Sequence, residues 1–165
     1  MQGEVLGDKV ATNFKFGVIV VSEFEEHANL HFPSFADTLM AMGCAQHNIV
    51  VRRVPTLHDV VIATQFFAEY TDVDGVVILA PQNRVMGMLS LMNGIVQIQI
   101  QWNMVVEIGG AECAENVVEM VAMQSEMEME APDMTSGQQS FSEGGVVQLL
   151  ALSRNTIKFN RHQIG

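Results

Sequence analysis

Phe16-Gly17-Val18-Ile19-Val20-Val21 is a short, unbroken apolar run rich in β-branched residues. No polar residue falls on either of its alternating sides, so it reads as a strand buried on both faces. Gly75-Val76-Val77-Ile78-Leu79 repeats the pattern. Residues 48–54 form another β-branched run, broken by Pro55, and residues 104–108 form a fourth, ended by Gly109-Gly110. The intervening segments have helical spacing. In residues 29–43, Phe35, Leu39 and Met42 share a face, with Pro33 near the first turn and Gly43 as the stop. Residues 57–70 and 84–101 read as helices, although residues 95–101 also alternate like a strand. Met86, Met88 and Met92 are expected to pack in a helix core. Residues 111–123 are amphipathic, with Ala114, Val117, Met120 and Val121 inside and Glu112, Glu115 and Glu119 outside. An acidic, Met-rich connector is expected over 124–137, around Pro132, and a last helix over 141–159. Strands alternating with helices in this way imply a parallel sheet with helices on both faces, in one domain spanning 1–165.

Composition narrows the function. The chain of 165 residues is 48% hydrophobic and 16% charged, with a net charge of −11. That balance describes a compact protein that buries much surface, and it argues against nucleic acid and anionic membranes as partners. No apolar run is long enough to span a bilayer. Glu4 and Asp8 stand where a signal peptide would carry positive charge, so the expected location is the cytoplasm or an organelle interior (plastid or mitochondrion), not the secretory route. Cys44 and Cys113 make neither a disulfide framework nor a zinc spacing and read as small buried residues in a reducing compartment. Residues 85–153 hold not one Lys, Arg or His, yet carry Glu107, Glu112, Glu115, Glu119, Glu126, Glu128, Glu130, Asp133 and Glu143. Anionic substrates need cations or arrays of backbone N–H donors, and this half of the chain offers no cationic side chain.

Ligands of parallel α/β sheets bind past the carboxyl ends of the strands. Here those ends are residues 22–25, 54–59, 80–84 and 108–112. They carry no Gly-rich dinucleotide fingerprint, no P-loop and no paired-Cys motif.

Taken in order, these ends resemble lumazine synthase, the penultimate enzyme of riboflavin biosynthesis. The first strand with its lead-in is Ala11-Thr12-Asn13-Phe14-Lys15-Phe16-Gly17-Val18-Ile19-Val20-Val21-Ser22-Glu23-Phe24-Glu25. The second ends in Arg52-Arg53-Val54-Pro55-Thr56-Leu57-His58-Asp59. A helix carries Asn93-Gly94-Ile95-Val96-Gln97-Ile98-Gln99-Ile100-Gln101, and Gly109 matches the end of the fourth strand. The resemblance runs from about Val5 to Phe159. It implies a flavodoxin-like, three-layer α/β sandwich with a four-stranded parallel sheet. It also implies an N-terminal strand within residues 5–12 added to a neighbouring subunit's sheet, and pentamers or their multiples with sites shared between subunits. The acidic connector, longer than the family's, puts a closed shell in question.

The departures from the family fall on its chemistry. Phe24 keeps the place of the aromatic that stacks on the pyrimidine or lumazine ring. Glu25 replaces an Asn that contacts the ribityl chain. Asp59 stands for a ribityl-binding Glu, and His58 for the aromatic before it. The loop after the third strand, which carries the general acid/base His, is reduced to Ala80-Pro81-Gln82-Asn83-Arg84. The late phosphate-binding segment corresponds to Gly137-Gln138-Gln139-Ser140-Phe141-Ser142-Glu143-Gly144, without its cations. The ligand-facing set implied by the resemblance is Phe24, Glu25, His58, Asp59, Gln82 and Ile108, with His58 and Arg84 as fallback catalytic groups. A positioned acid or base contributes about 10²–10⁴-fold in rate, and a phosphate clamp adds an electrostatic term. Losing both predicts a catalytically impaired homologue kept as a structural or assembly subunit of a homo- or hetero-oligomer. The alternatives are an active synthase with a rearranged site, or a flavin- or lumazine-binding protein without chemistry. No cofactor is implied.

Other residues read more plainly. His27 and His31 are four apart with Glu23 a turn earlier, a spacing that can hold zinc on a helix. Because they directly follow a strand and precede Pro33, they read as a solvated or interface loop, and no metal is expected. Ser22 has no partner for a catalytic triad. Glu126-Met127-Glu128-Met129-Glu130 reads as a solvated connector, with a basic partner as the alternative.

Overall fold

A computed structural model of the chain describes residues 10–131. In chain order the elements are β1 (Phe16–Val21), α1 (Glu25–Ala41), β2 (Ile49–Val54), α2 (Val60–Tyr70), β3 (Gly75–Leu79), α3 (Gln82–Met86), α4 (Leu89–Trp102), β4 (Val105–Gly109) and α5 (Cys113–Glu130). The four strands form one parallel sheet in the order β2-β1-β3-β4. β1 and β3 are central and buried along their whole length, as their unbroken apolar runs require. β2 and β4 lie at the edges and are only partly covered, which is why β2 tolerates Arg52 and Arg53.

The central strands feed two cores. Phe16, Val18, Val20, Val77 and Leu79 point toward α1 and α5, where they meet Phe35, Leu39 and Val117. Ile19, Val21, Val76 and Ile78 point the other way, against Phe67, Ile95 and Val85 from α2, α4 and α3. The result is the three-layer, flavodoxin-like sandwich expected from the sequence. Gly17 is central to one layer. A Cβ built on it would lie 2.7 Å from the Phe67 ring, so the bare backbone is what lets α2 settle on the sheet.

Several element boundaries differ from those expected. The first helix starts at Glu25, not near residue 29, and places Pro33 inside it. An interior Pro forfeits one backbone hydrogen bond at a cost of about 3 kcal/mol. Glu25 and Glu26 in the first turn favour the helix N-terminus, and contacts from His27 and His31 to the β4 end hold that turn in place. The segment expected as one helix over 84–101 is two, because Met88 is extended (φ −105°, ψ 94°). Met86 is consequently exposed, not packed in a core, whereas Met88 and Met92 pack at its margin. The strand-like alternation of residues 95–101 is overridden by helix, which ends on Asn103 in the left-handed region (φ 51°).

α5 extends through Glu130, so residues 124–130 of the expected connector are helical. Met and Glu are good helix formers. The helix stops at Ala131, which is extended (φ −60°, ψ 133°), as a residue before proline should be. Met120, expected inside, is 41% exposed. Val10 to Asn13 form a turn. The rest of the expected N-terminal strand, the remainder of the connector, the helix over 141–159 and the segment 137–144 lie outside the described residues. Among the described residues no helix is long and apolar enough to cross a membrane.

Replacing Gly17 by Val should drive side-chain carbons into the Phe67 ring. Overpacking of this kind costs about 1–3 kcal/mol. The urea midpoint should fall accordingly, and Gly17→Val with Phe67→Leu should recover part of the loss.

Candidate functional site

The strand order reverses between β1 and β3, since the chain leaves β1 for β2 on one side and passes from β3 to β4 on the other. Ligand crevices in open parallel sheets form at such a reversal. Two of the residues singled out in the sequence meet there. Phe24 ends a single 3-10 turn after β1, half-buried against the α2–α4 core. Arg84 arrives from α3, and its guanidinium carbon lies 5.8 Å from the centroid of the Phe24 ring. Such a cation–π contact contributes about 0.5–1 kcal/mol when exposed. Between β3 and α3 only Ala80 and Pro81 intervene.

The other residues are distributed along the strand ends. Glu25 opens α1 and accepts a hydrogen bond from Arg53 Nη1 at 3.1 Å, an exposed ion pair between the β1 and β2 ends. Asp59 closes a capping box with Thr56: its Oδ2 accepts from the Thr56 N–H at 3.0 Å and from Thr56 Oγ1 at 2.8 Å. His58 is exposed beside it, on the 3-10 turn Leu57–Asp59. Gln82 is the exposed first residue of α3. Ile108 sits one residue before the end of β4, half-buried against the α2–α4 core. Phe24 and Arg84 are thus in contact, whereas Asp59 is engaged within its own turn and Glu25 pairs with a residue that the sequence did not single out.

The end of β4 is also internally satisfied. His27, on the first turns of α1, donates from Nε2 to the Gly109 carbonyl at 2.9 Å. His31 Nδ1 accepts the Ala111 N–H at 3.2 Å, which requires that nitrogen to be unprotonated. Glu112 Oε1 accepts the Gly110 N–H at 2.9 Å. The two imidazoles stand 4.3 Å apart. The histidines expected in a loop therefore lie on a helix and clamp the β4–α5 turn. Gly109 has φ 151° and Gly110 leaves room for the His31 ring, so both glycines are required by the clamp. Backbone N–H donors that an anion would use are taken by a carboxylate and an imidazole. Among the described residues no group of three or more His, Cys, Asp or Glu is arranged to hold a metal ion.

Neither cysteine is poised as a nucleophile. Burial, with Glu112 and Glu107 nearby, pushes the Cys113 thiol up to about 12. Burial, and then Asp74, raises Cys44 as well. Attack requires thiolate, which both sites suppress.

With fold and geometry in view, the chain matches no model of a known protein family and no curated protein.

Two measurements follow from this site. Ellman's reagent near pH 8 should leave both thiols of the native protein unmodified and titrate both after unfolding. The second concerns acid stability. The Gly110 hydrogen bond holds the Glu112 carboxyl below its ordinary value of 4.5. A depressed folded-state value stabilises the protein above the ordinary value, and that contribution is lost as pH falls through the depressed one. Glu112→Gln should therefore be less stable than the parent at neutral pH and show a shallower loss of urea midpoint below pH 4.5.

Proposed function

We propose that this chain is a divergent relative of the lumazine synthases that has given up catalysis and serves as a structural subunit of an oligomer. One observation carries the proposal: the groups at the strand ends are spent on the protein itself. Arg84 covers the Phe24 ring, Arg53 holds Glu25, Thr56 holds Asp59, and Glu112 with His31 fill the N–H donors after β4. A ribityl chain and a phosphate would have to displace each of these partners. The β3–α3 connection is too short for a loop bearing a general acid or base, and the cation-free stretch supplies no phosphate clamp. High hydrophobic content and few charges suit a subunit with large buried contacts.

A second reading is favoured by the Phe24–Arg84 pair. An aromatic face and a planar cation at the switch point make a platform for a flat heteroaromatic ring such as a pyrimidine, lumazine or flavin.

The purified chain, given a ribitylamino-pyrimidinedione and dihydroxybutanone phosphate, should form no ribityllumazine above the uncatalysed rate, while sedimenting as an oligomer. Product that disappears in Asp59→Ala, or a monomer at micromolar concentration, would overturn the proposal. Quenching of riboflavin or lumazine fluorescence by the parent, lost in Phe24→Ala, would favour the binder.

A further inference from the structure

We infer that the basic carboxyl-terminal part of this chain, residues 146–161, lies against the methionine face of α5 along the outer edge of β4. Four observations converge on this surface.

β4 pairs with β3, and among the described residues no strand pairs with its other edge. An open edge exposes backbone donors and acceptors that folded proteins ordinarily cover or guard. A groove of about 490 Å³ runs beside that edge, walled by Met104 and Val105 on one side and by Met120, Met123, Met127 and Ala131 on the other. The three α5 methionines are 41%, 47% and 64% exposed, a high value for apolar side chains lining one groove.

The charge around the groove has a single sign. Glu107 and Glu128 are among its lining residues and no cation is, whereas Glu115, Glu119 and Glu126 face a different groove between α5 and α1. Burial raises the Glu107 carboxyl, which a nearby cation would relieve. An occupant should therefore present apolar and cationic side chains next to one another.

Residues 146–161 have that composition. Val146, Leu149, Leu150 and Ile157 recur at helical spacing, Arg154, Lys158 and Arg161 recur at intervals of four and three, and no carboxylate falls among them. These are the first cations after Arg84. The tether is adequate. Ala131, where the described residues end, lines the groove. Residues 132–145, fully extended, reach about 45 Å, whereas the groove side of α5 from Met120 to Ala131 is about 17 Å long. The segment can turn back and lie along the helix that precedes it.

The test mixes full-length protein of natural isotopic composition with uniformly ¹⁵N-labelled protein, couples amines to carboxylates with a zero-length carbodiimide, and identifies the products by mass spectrometry. Lys158 should couple to Glu107 or Glu128 within chains of one label. Pairs found only between labels would replace this occupant with a second copy. Absence of Lys158 coupling to either of these carboxylates would overturn the inference outright. Independently, the triple variant Arg154→Glu, Lys158→Glu, Arg161→Glu should exchange amide hydrogens of β4 and the second half of α5 about tenfold faster than the parent, with the circular dichroism unchanged. Equal exchange rates would also overturn it.

Discussion

Two central strands buried on both faces set the terms for everything else in this molecule. β1 and β3 have no polar side to turn toward water, so helices must cover the sheet above and below. On the α2 side the cover can close only because Gly17 presents backbone where any other residue would present a Cβ to Phe67. Gly75 makes the same concession to Val117 on the opposite face, at 2.9 Å. With both faces closed, the surfaces left for other uses are the ends of the strands and the two edges of the sheet. Each edge has its own character: β2 displays Arg52 and Arg53, whereas β4 borders glutamates and methionines.

The strand ends could have been a binding crevice, and their location at the reversal of strand order is right for one. What occupies them is the chain's own chemistry. Short-range pairs form between Phe24 and Arg84, Glu25 and Arg53, and Thr56 and Asp59. None is strong alone, since exposed ion pairs contribute about 0–1 kcal/mol. Together they mean that a ligand would enter a surface already internally matched, and would have to exceed existing contacts before gaining affinity.

Strands were the most legible elements, because an unbroken β-branched run has few alternatives inside a sheet. Local rules misled where tertiary contacts outweighed them. Pro33 marked a late start for α1, but the hydrogen bonds that His27 gives to Gly109 and His31 accepts from Ala111, some eighty positions away, hold the earlier turns helical. The polarity of residues 126–130 suggested a connector, yet nothing in them breaks a helix before Pro132. Within the candidate site, Phe24, Asp59 and Arg84 could each be picked out singly. The pairing of Phe24 with Arg84 could not, because it depends on the order of strands in the sheet, whereas Thr56 and Asp59 had a local signal in their Thr-x-x-Asp spacing ahead of an apolar run. Arg53 went unnoticed since an edge-strand arginine has no local signature. The clamp on the β4–α5 turn had a partial signal in the His27–His31 spacing and the Gly109-Gly110 pair, but nothing in the sequence joined the two.

The exposed thioethers of α5 have a chemical consequence of their own. Met129 is 84% exposed, and Met120, Met123 and Met127 on the same helix are reached by oxidant whenever the carboxyl-terminal segment is off their groove. Oxidation to the sulfoxide would turn each from a soft apolar surface into a polar, chiral one without changing the net charge. The protein would then age under oxidants by a gradual loss of stickiness along one helix, while its buried thiols, held protonated, stayed as they were.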